Sequence, residues 1–185
     1  RDVLEGDACV HPGSVFDPIS ARIAEDFGFE VGMIAGAIAS ATVLGAPDYI
    51  VLTLTELSDQ IRRICRASDL PLLIDADHGY GNALNAKRTI EELENSGASA
   101  VTIEDTLLPR TYHEQSVGLI SIDEGLGKIK AAISGRTDSS MVVAARTSAF
   151  QLSDSNDAIK RAVAYEQAGA DAIFFTGNSE PVSYT

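Results

Sequence analysis

Short apolar runs alternate along the chain with segments whose apolar residues recur every three or four positions. The runs predict six β-strands, at Ala8 to Val10, Val31 to Ala35, Leu72 to Ala76, Ala100 to Ile103, Met141 to Ala145 and Ala172 to Phe175. The segments between them predict amphipathic helices, as where Leu57, Ile61 and Ile64 repeat at helical spacing. Such alternation is typical of βα units on a parallel sheet.

A short motif recurs where three of the predicted helices end. Glu-x-x-Gly occurs at Glu25–Gly28, Glu94–Gly97 and Glu166–Gly169, each time shortly before a predicted strand. Glycine readily adopts the left-handed conformation that ends a helix, so each copy predicts a turn from helix to strand. Any α/β protein contains such turns, but three copies in the same position favour a repeated βα unit.

Six βα units fit either a doubly wound open sheet or most of an eight-stranded barrel. The segment His11-Pro12-Gly13-Ser14 lacks the glycine spacing of a dinucleotide or phosphate loop, which disfavours the open sheet. We therefore predict a (β/α)8 TIM-type barrel with about six βα units present. Such a barrel usually needs ~250 residues. Residues 1–185 are expected to form a single barrel domain that is incomplete at its C-terminal end.

Polar residues appear abruptly near the ends of four predicted strands, where TIM-barrel enzymes carry their reacting groups. These residues are Asp48, Asp75, Asp77, Glu104 and Arg146. The two-residue period of a strand would place Asp75 and Asp77 on one face. Converging carboxylates need a positive partner, and their oxygens suit Mg²⁺, bound partly through water. The alternative is that the Asp-x-Asp sequence only forms a local turn or a helix cap.

The charge balance narrows the range of partners. The chain has 27 acidic and 14 basic residues, a formal net charge of −13, and it has no Lys and Arg cluster of the kind that binds a phosphate backbone. We expect neither a nucleic-acid nor a membrane partner. The longest apolar runs fall short of the ~20 residues of a membrane span, and residues 1–6 are too polar for a signal peptide. These features lead us to expect a cytoplasmic protein.

Three short motifs together resemble those of a known group of enzymes. Residues 75–82, with the sequence Asp-Ala-Asp-His-Gly-Tyr-Gly-Asn, are followed by Glu104-Asp105 and by Ala145-Arg146-Thr147. Together they resemble the isocitrate lyase and phosphoenolpyruvate mutase superfamily. The similarity extends from about Ser14 to Phe175 and is closest to the oxaloacetate decarboxylases, through residues 14–22 and 102–109.

The resemblance implies a metal ion and the residues that hold it. The ion would be Mg²⁺, with Mn²⁺ as an alternative, bound directly by Asp75. Asp77 and Glu104 would act on it through water. A small 2-oxo acid would be the substrate, and a homotetramer would be the assembly.

The resemblance also implies how the substrate is held. Arg146 would grip a substrate carboxylate, Asp48 would line the pocket, and the backbone N–H groups of Gly36, Ala37 and Ile38 would bind substrate oxygens. The implied activity is that of a carboxy-lyase. It would be a Mg²⁺-dependent decarboxylation of oxaloacetate, or of a similar 2-oxo dicarboxylate, to pyruvate and CO₂ through an enolate.

Departures from the superfamily pattern keep other functions open. Residues 110–114 contain neither the cysteine that lyases carry after the fourth strand nor the Lys and Asn of the phosphonate enzymes. The superfamily tends to have Ser where this chain has Gly36, and the late histidine of the decarboxylases would lie beyond Thr185. The alternatives are a carbon–carbon lyase on a substituted malate or methylisocitrate, phosphonopyruvate or phosphoenolpyruvate mutase-type chemistry, and a non-catalytic barrel subunit.

Overall fold

The computed structural model describes residues 1–110 and 117–177. The helices are α1 (Asp2–Glu5), α2 (Pro18–Asp26), α3 (Gly36–Ala39), α4 (Leu54–Cys65), α5 (Ala83–Asn95), α6 (Ile122–Gly135), α7 (Ala149–Leu152) and α8 (Ser155–Gln167), with a π-helix at Ser40–Leu44. The strands are β1 (Gly13–Ser14), β2 (Gly32–Ile34), β3 (Leu72–Asp75), β4 (Ala100–Glu104), β5 (Val142–Thr147) and β6 (Ala172–Phe175). In these two segments, no helix has the length and apolar character needed to cross a membrane.

All six strands belong to one parallel sheet, and each lies beside its neighbours in sequence. A doubly wound sheet reverses its strand order at the middle, whereas a barrel keeps the order of the chain. The observed order, β1 to β6, therefore confirms the predicted barrel-type arrangement. Within the described residues the sheet is open, because β1 and β6 each have one strand neighbour. The prediction of one domain over residues 1–185 stays a prediction.

The first strand lies later in the chain than predicted. The strand expected at Ala8 to Val10 is wrong, since β1 is Gly13–Ser14 and pairs with the first two residues of β2. Close packing explains the position: a Cβ at Gly13 would lie 3.0 Å from the ring of Phe29, and one at Gly32 would lie 2.8 Å from Leu72. Glycine at both places lets the strand, the helices and the core approach one another. A run of large apolar residues is therefore not the signal for this strand.

The predicted helix faces and helix ends agree with the structure. Leu57, Ile61 and Ile64 of α4 are at most 1% exposed, so the stripe found by its spacing faces the core. The three glycines of the repeated motif have φ values of 78°, 99° and 101°, all in the left-handed region. Each glycine amide donates to the glutamate carbonyl three residues earlier at 2.9 Å. These turns deliver the chain from a helix on the outside to the next strand.

Candidate active site

Three of the predicted site residues meet at the carboxyl end of the sheet. Asp75 ends β3, Glu104 ends β4, and Arg146 lies opposite Glu104 on β5. Arg146 Nη1 donates to Asp75 Oδ2 at 2.6 Å, and Arg146 Nε lies 3.2 Å from Glu104 Oε2. The Nε–H is not aligned on a hydrogen-bond acceptor, so Glu104 is held by charge rather than by a directed bond. We call this group, with Asp77 and Asp48, the mouth.

Asp77 reaches the mouth through a turn, not through a strand. Strand β3 ends at Asp75, and Asp77 has φ 47°. Its amide donates to Asp75 Oδ1 at 3.2 Å, and its carbonyl accepts from the amide of Glu104 at 2.8 Å. The two-residue period was therefore the wrong reason for placing the two aspartates together. The local turn that was considered as an alternative exists, and it is what directs Asp77 toward its neighbours.

The first residue of α3 lies among the acids. The amide of Gly36 is 3.5 Å from Asp75 Oδ2. A Cβ at this position would lie 2.9 Å from Asp77 Oδ1 and 3.5 Å from Asp48 Oδ2. These distances place both carboxylates beside the backbone of Gly36. A side chain here would crowd the carboxylate of Asp77, whereas Asp48 would be in ordinary van der Waals contact.

Three backbone amides, those of Gly36, Ala37 and Ile38, were predicted to bind substrate oxygens. The amide of Ile38 donates to the carbonyl of Ala35 at 3.0 Å, so it is already used inside the first turn of α3. The Ile38 N–H is thus engaged in this conformation, and its donation to a substrate stays a prediction. The amide of Gly36 lies beside the Asp75 carboxylate, and the substrate contacts of the Gly36 and Ala37 amides also stay predictions.

Asp48 lies at the exposed rim of the mouth. Its Oδ1 is 3.4 Å from the Ser40 hydroxyl and 3.4 Å from the amide of Ile50. Ser40 begins the π-helix that follows α3, so the π-helix and the loop after it position this carboxylate. Sequence reasoning did not identify Ser40, because a serine after a short helix carries no distinctive pattern.

Burial and mutual repulsion act strongly on the carboxylates. Burial raises the pKa of Asp77 to about 8, and the charges of Asp75, Asp48 and Glu104 add to the rise while Arg146 opposes it. Burial also raises the pKa of Glu104, again against the effect of Arg146. Arg146 alone thus does not neutralise the mouth. A further positive charge would stabilise the ionised forms.

The donor atoms of the mouth fit a hard divalent cation. In residues 1–110 and 117–177, no three His, Cys, Asp or Glu side chains are arranged to enclose an ion by themselves. The side chains present are carboxylates in excess of positive charge, and Mg²⁺ commonly takes one or two carboxylates and keeps several waters. The described residues do not form a cage of three direct ligands. The roles predicted for Asp75, Asp77 and Glu104 toward such an ion stay predictions.

Two residues that sequence reasoning missed also lie at the mouth. Thr102 Oγ1 is 3.3 Å from Asp75 Oδ1, and the Phe174 ring lies 5.8 Å from Arg146 Cζ. Both are the sheet partners of predicted residues, Thr102 of Asp75 and Phe174 of Arg146. The strand register is therefore the signal that would have found them. The described part of the chain does not include residues 111–116 or residues 178–185. Most of the segment compared with the lyase loop, residues 110–114, therefore lies outside it.

The chain is similar to known proteins over nearly its whole length. Residues 5–183 match the family described as phosphoenolpyruvate phosphomutase. The chain is 58% identical over 177 residues to an oxaloacetate decarboxylase of Bradyrhizobium diazoefficiens, which covers 96% of this chain and 62% of the relative. It therefore spans about three fifths of the length of the curated relative.

Solved structures show the same similarity. Oxaloacetate acetylhydrolase in complex with the inhibitor 3,3-difluorooxalacetate matches with a TM-score of 0.87 and 32% identity, over 95% of this chain and 61% of that one. Phosphonopyruvate hydrolase in complex with oxalate and Mg²⁺ matches with a TM-score of 0.82 and 35% identity, over 90% and 57%. These likenesses agree with a six-stranded part of a (β/α)8 barrel.

Proposed function

Because the chain belongs to the phosphoenolpyruvate phosphomutase family, as its motifs predicted, we propose that it is a carboxy-lyase that converts oxaloacetate to pyruvate and carbon dioxide. The observation that carries this proposal is the mouth itself, in which Asp75, Asp77 and Glu104 lie around the guanidinium of Arg146. The identity to a curated oxaloacetate decarboxylase favours this substrate over the others.

The proposal assigns Mg²⁺ to the mouth, with Mn²⁺ as an alternative. Asp75 would hold the ion directly, and Asp77 and Glu104 would hold its water. Support comes from the carboxylate excess and from the related phosphonopyruvate hydrolase, whose structure contains oxalate and Mg²⁺. When bound, the ion would supply a Lewis acid that stabilises negative charge on the substrate's 2-oxo oxygen.

The side chains and amides of the mouth would hold the substrate. Arg146 would pair with a substrate carboxylate through the N–H groups that Asp75 does not use, and its planar fork fixes the orientation of that group. Asp75 and Glu104 keep the guanidinium in place. The amides of Gly36 and Ala37 would donate to oxygen where negative charge develops. Loss of CO₂ leaves its electron pair on the substrate as an enolate, so no enzyme nucleophile is required. The enolate then takes one proton, which water can supply, to give pyruvate.

The experiment measures pyruvate release from oxaloacetate in the presence of Mg²⁺, with a protein-free reaction subtracted. Asp75→Asn should lower kcat by about 10³-fold because it removes the charge at the centre of the mouth. Asp59→Asn is the matched control, since Asp59 lies on the surface of α4 and pairs with Arg62 at 2.8 Å. It should stay within about twofold of the wild type, as surface changes usually do. Equal rates for the wild type and Asp75→Asn would end the proposal.

The same assay separates the alternatives. Pyruvate release from a substituted malate or from methylisocitrate, without turnover of oxaloacetate, would favour a carbon–carbon lyase. Turnover of phosphonopyruvate alone would favour phosphonate chemistry, and inactivity on all of them would favour a non-catalytic subunit. A cytoplasmic homotetramer belongs to this proposal too, and the mass measured by light scattering tests the assembly.

A further inference from the structure

The residue after Glu104 is a second buried carboxylate that faces the helices. Asp105 is 3% exposed. Its Oδ2 accepts hydrogen bonds from the Thr147 hydroxyl at 2.9 Å, from Arg161 Nη1 at 3.0 Å and from the Tyr165 hydroxyl at 2.8 Å. Successive residues at a strand end point to opposite faces, so Asp105 contacts the outer layer while Glu104 faces the mouth. The mechanism proposed above does not use Asp105.

Asp105 also joins the ends of the two strands that carry Glu104 and Arg146. Its amide donates to the carbonyl of Arg146 at 3.2 Å, and its side chain binds Thr147, the next residue of β5. The distance between Glu104 Oε2 and Arg146 Nε depends on how these strand ends lie against each other. Asp105 therefore sits where a small shift would change that distance.

Helix α8 supplies two of the three side chains that donate to this carboxylate. Arg161 and Tyr165 are one helical turn apart, and Arg161 also donates to the carbonyl of Ile120 at 3.0 Å. A Cβ at Gly125 of α6 would overlap the Tyr165 hydroxyl. Glycine inside a helix lowers helix stability, so its presence here is explained by the space that the hydroxyl needs.

Residues of the mouth and of the group around Asp105 line the same small cavity. Its lining includes Glu104 and Arg146 of the mouth together with Asp105, Lys128 and Tyr165. Lys128 is 3% exposed, and its charge attracts both Glu104 and Asp105. Asp105 is thus linked to the mouth through the buried charge of Lys128, which also acts on Glu104.

On the basis of the proposed function, we propose that Asp105, held by Arg161 and Tyr165, is a positioning residue for the mouth. It fixes the main chain on either side of the Glu104–Arg146 pair and touches no substrate. Helix α8 thereby acts on the active site from behind the sheet. Partners that orient the groups around a metal typically change metal affinity or activity by about 10- to 100-fold when removed.

The test compares Asp105→Asn and Tyr165→Phe with Asp171→Asn. Asp171 is the matched control because its carboxylate also binds guanidinium groups, those of Arg1 at 2.6 Å and Arg136 at 2.5 Å, but at the amino end of the sheet. Calorimetry gives the Mn²⁺ affinity of each protein, steady-state kinetics gives kcat and KM, and thermal unfolding gives the stability. All three substitutions should lower the melting temperature.

Of the three variants, only Asp105→Asn and Tyr165→Phe should affect the mouth. Asp105→Asn should weaken Mn²⁺ binding and lower kcat by about 10- to 100-fold. Tyr165→Phe should change both in the same direction by a smaller factor, because it removes one of three donors. Asp171→Asn should leave both within about twofold. A lowered kcat with an unchanged KM would agree with positioning of the metal-side groups.

A purely structural role gives a different result. If Asp105→Asn and Tyr165→Phe lower the melting temperature but keep the wild-type Mn²⁺ affinity and kcat, the inference is overturned. If Asp105→Asn does not fold, Tyr165→Phe decides, since it retains Arg161 and Thr147. If the wild type releases no pyruvate, the proposed function fails while the Mn²⁺ affinities alone still decide this inference.

Discussion

The two ends of the sheet carry charged clusters that differ in how far positive charge offsets the carboxylates. At the carboxyl end, within the described residues, Asp75, Asp77 and Glu104 interact with the guanidinium of Arg146, and Asp48 adds a further negative charge beside Asp77. At the amino end, the carboxylate of Asp171 receives Arg1 and Arg136 together with the amide of Val143. The first cluster has too little positive charge and the second is fully compensated.

This difference separates a site for chemistry from a site for stability. Burial alone would raise the pKa of Asp171, but the hydrogen bonds from Val143, Arg1 and Arg136 bring it below its ordinary value. Among the described residues Asp77 receives no comparable hydrogen bonds to its carboxylate, and burial raises its pKa to about 8 against the opposing charge of Arg146. A compensated carboxylate stabilises the fold, whereas an uncompensated one destabilises it until a cation binds.

Replacing the arginine at each end of the sheet by methionine should give the largest effects, on kcat at one end and on stability at the other. Arg146→Met should lower kcat for oxaloacetate by about 10²- to 10³-fold, because the substrate carboxylate and Asp75 both lose their partner. Arg136→Met should leave kcat within about twofold and lower the free energy of unfolding by about 2 kcal/mol, since Arg1 still pairs with Asp171. Kinetics and urea unfolding of both variants measure this contrast. Equal loss of activity in the two would remove the distinction between the ends.

The pH dependence of stability should differ between the ends in metal-free protein. The raised pKa of Asp77 means that the folded state binds a proton more tightly than the unfolded state. Stability should therefore fall as the pH rises from about 4, the unfolded value, to about 8, and should level off above that. Asp171 acts in the opposite direction, since its lowered pKa gives stability that is lost as the pH falls below about 4.

Urea unfolding at a series of pH values, with a chelator present, measures these slopes. Asp77→Asn should flatten the fall between pH 4 and pH 8 and should raise the stability of metal-free protein at the alkaline end. Saturating Mg²⁺ should have the same flattening effect on the wild type, because the ion favours the ionised carboxylates. An unchanged slope in Asp77→Asn would contradict the charge balance assigned to the mouth.

Gly32, which begins β2, and Gly36, which begins α3, should show the same contrast with smaller effects. A Cβ at Gly36 would lie 2.9 Å from Asp77 Oδ1, whereas one at Gly32 would lie 2.8 Å from Leu72 in the core. Gly36→Ala should lower kcat by about tenfold by displacing the carboxylate of Asp77. Gly32→Ala should cost about 1–3 kcal/mol of stability through overpacking and leave kcat of the folded protein unchanged. Reversed outcomes would show that Gly36 is needed for packing alone.

The sequence predicted the parts of the fold that depend on local pattern. Five strands and the apolar face of α4 follow from runs and spacing, and the three Glu-x-x-Gly turns follow from glycine chemistry. The first strand was not predicted from such a run, because Gly13 and Ser14 are small residues whose position depends on the packing of distant side chains. The motif residues of the mouth were identifiable because polar side chains interrupt apolar strands.

Features that depend on register or on distant pairing were not predictable. Thr102 and Phe174 join the mouth only through their sheet partners. Tyr165 is an ordinary helix position in the sequence, yet its hydroxyl binds Asp105, 60 residues away. Arg1 and Asp171 are separated by 170 residues. Such contacts are set by how the helices pack on the sheet and leave no periodic trace in the chain.

Calorimetric titration with Mg²⁺ tests the central claim most directly. If the excess of carboxylate at the carboxyl end is a divalent-cation site, the wild type and Asp171→Asn should bind one Mg²⁺ per chain with the same affinity, and Asp75→Asn should show no measurable binding. Binding by Asp75→Asn with wild-type affinity and stoichiometry would contradict the account.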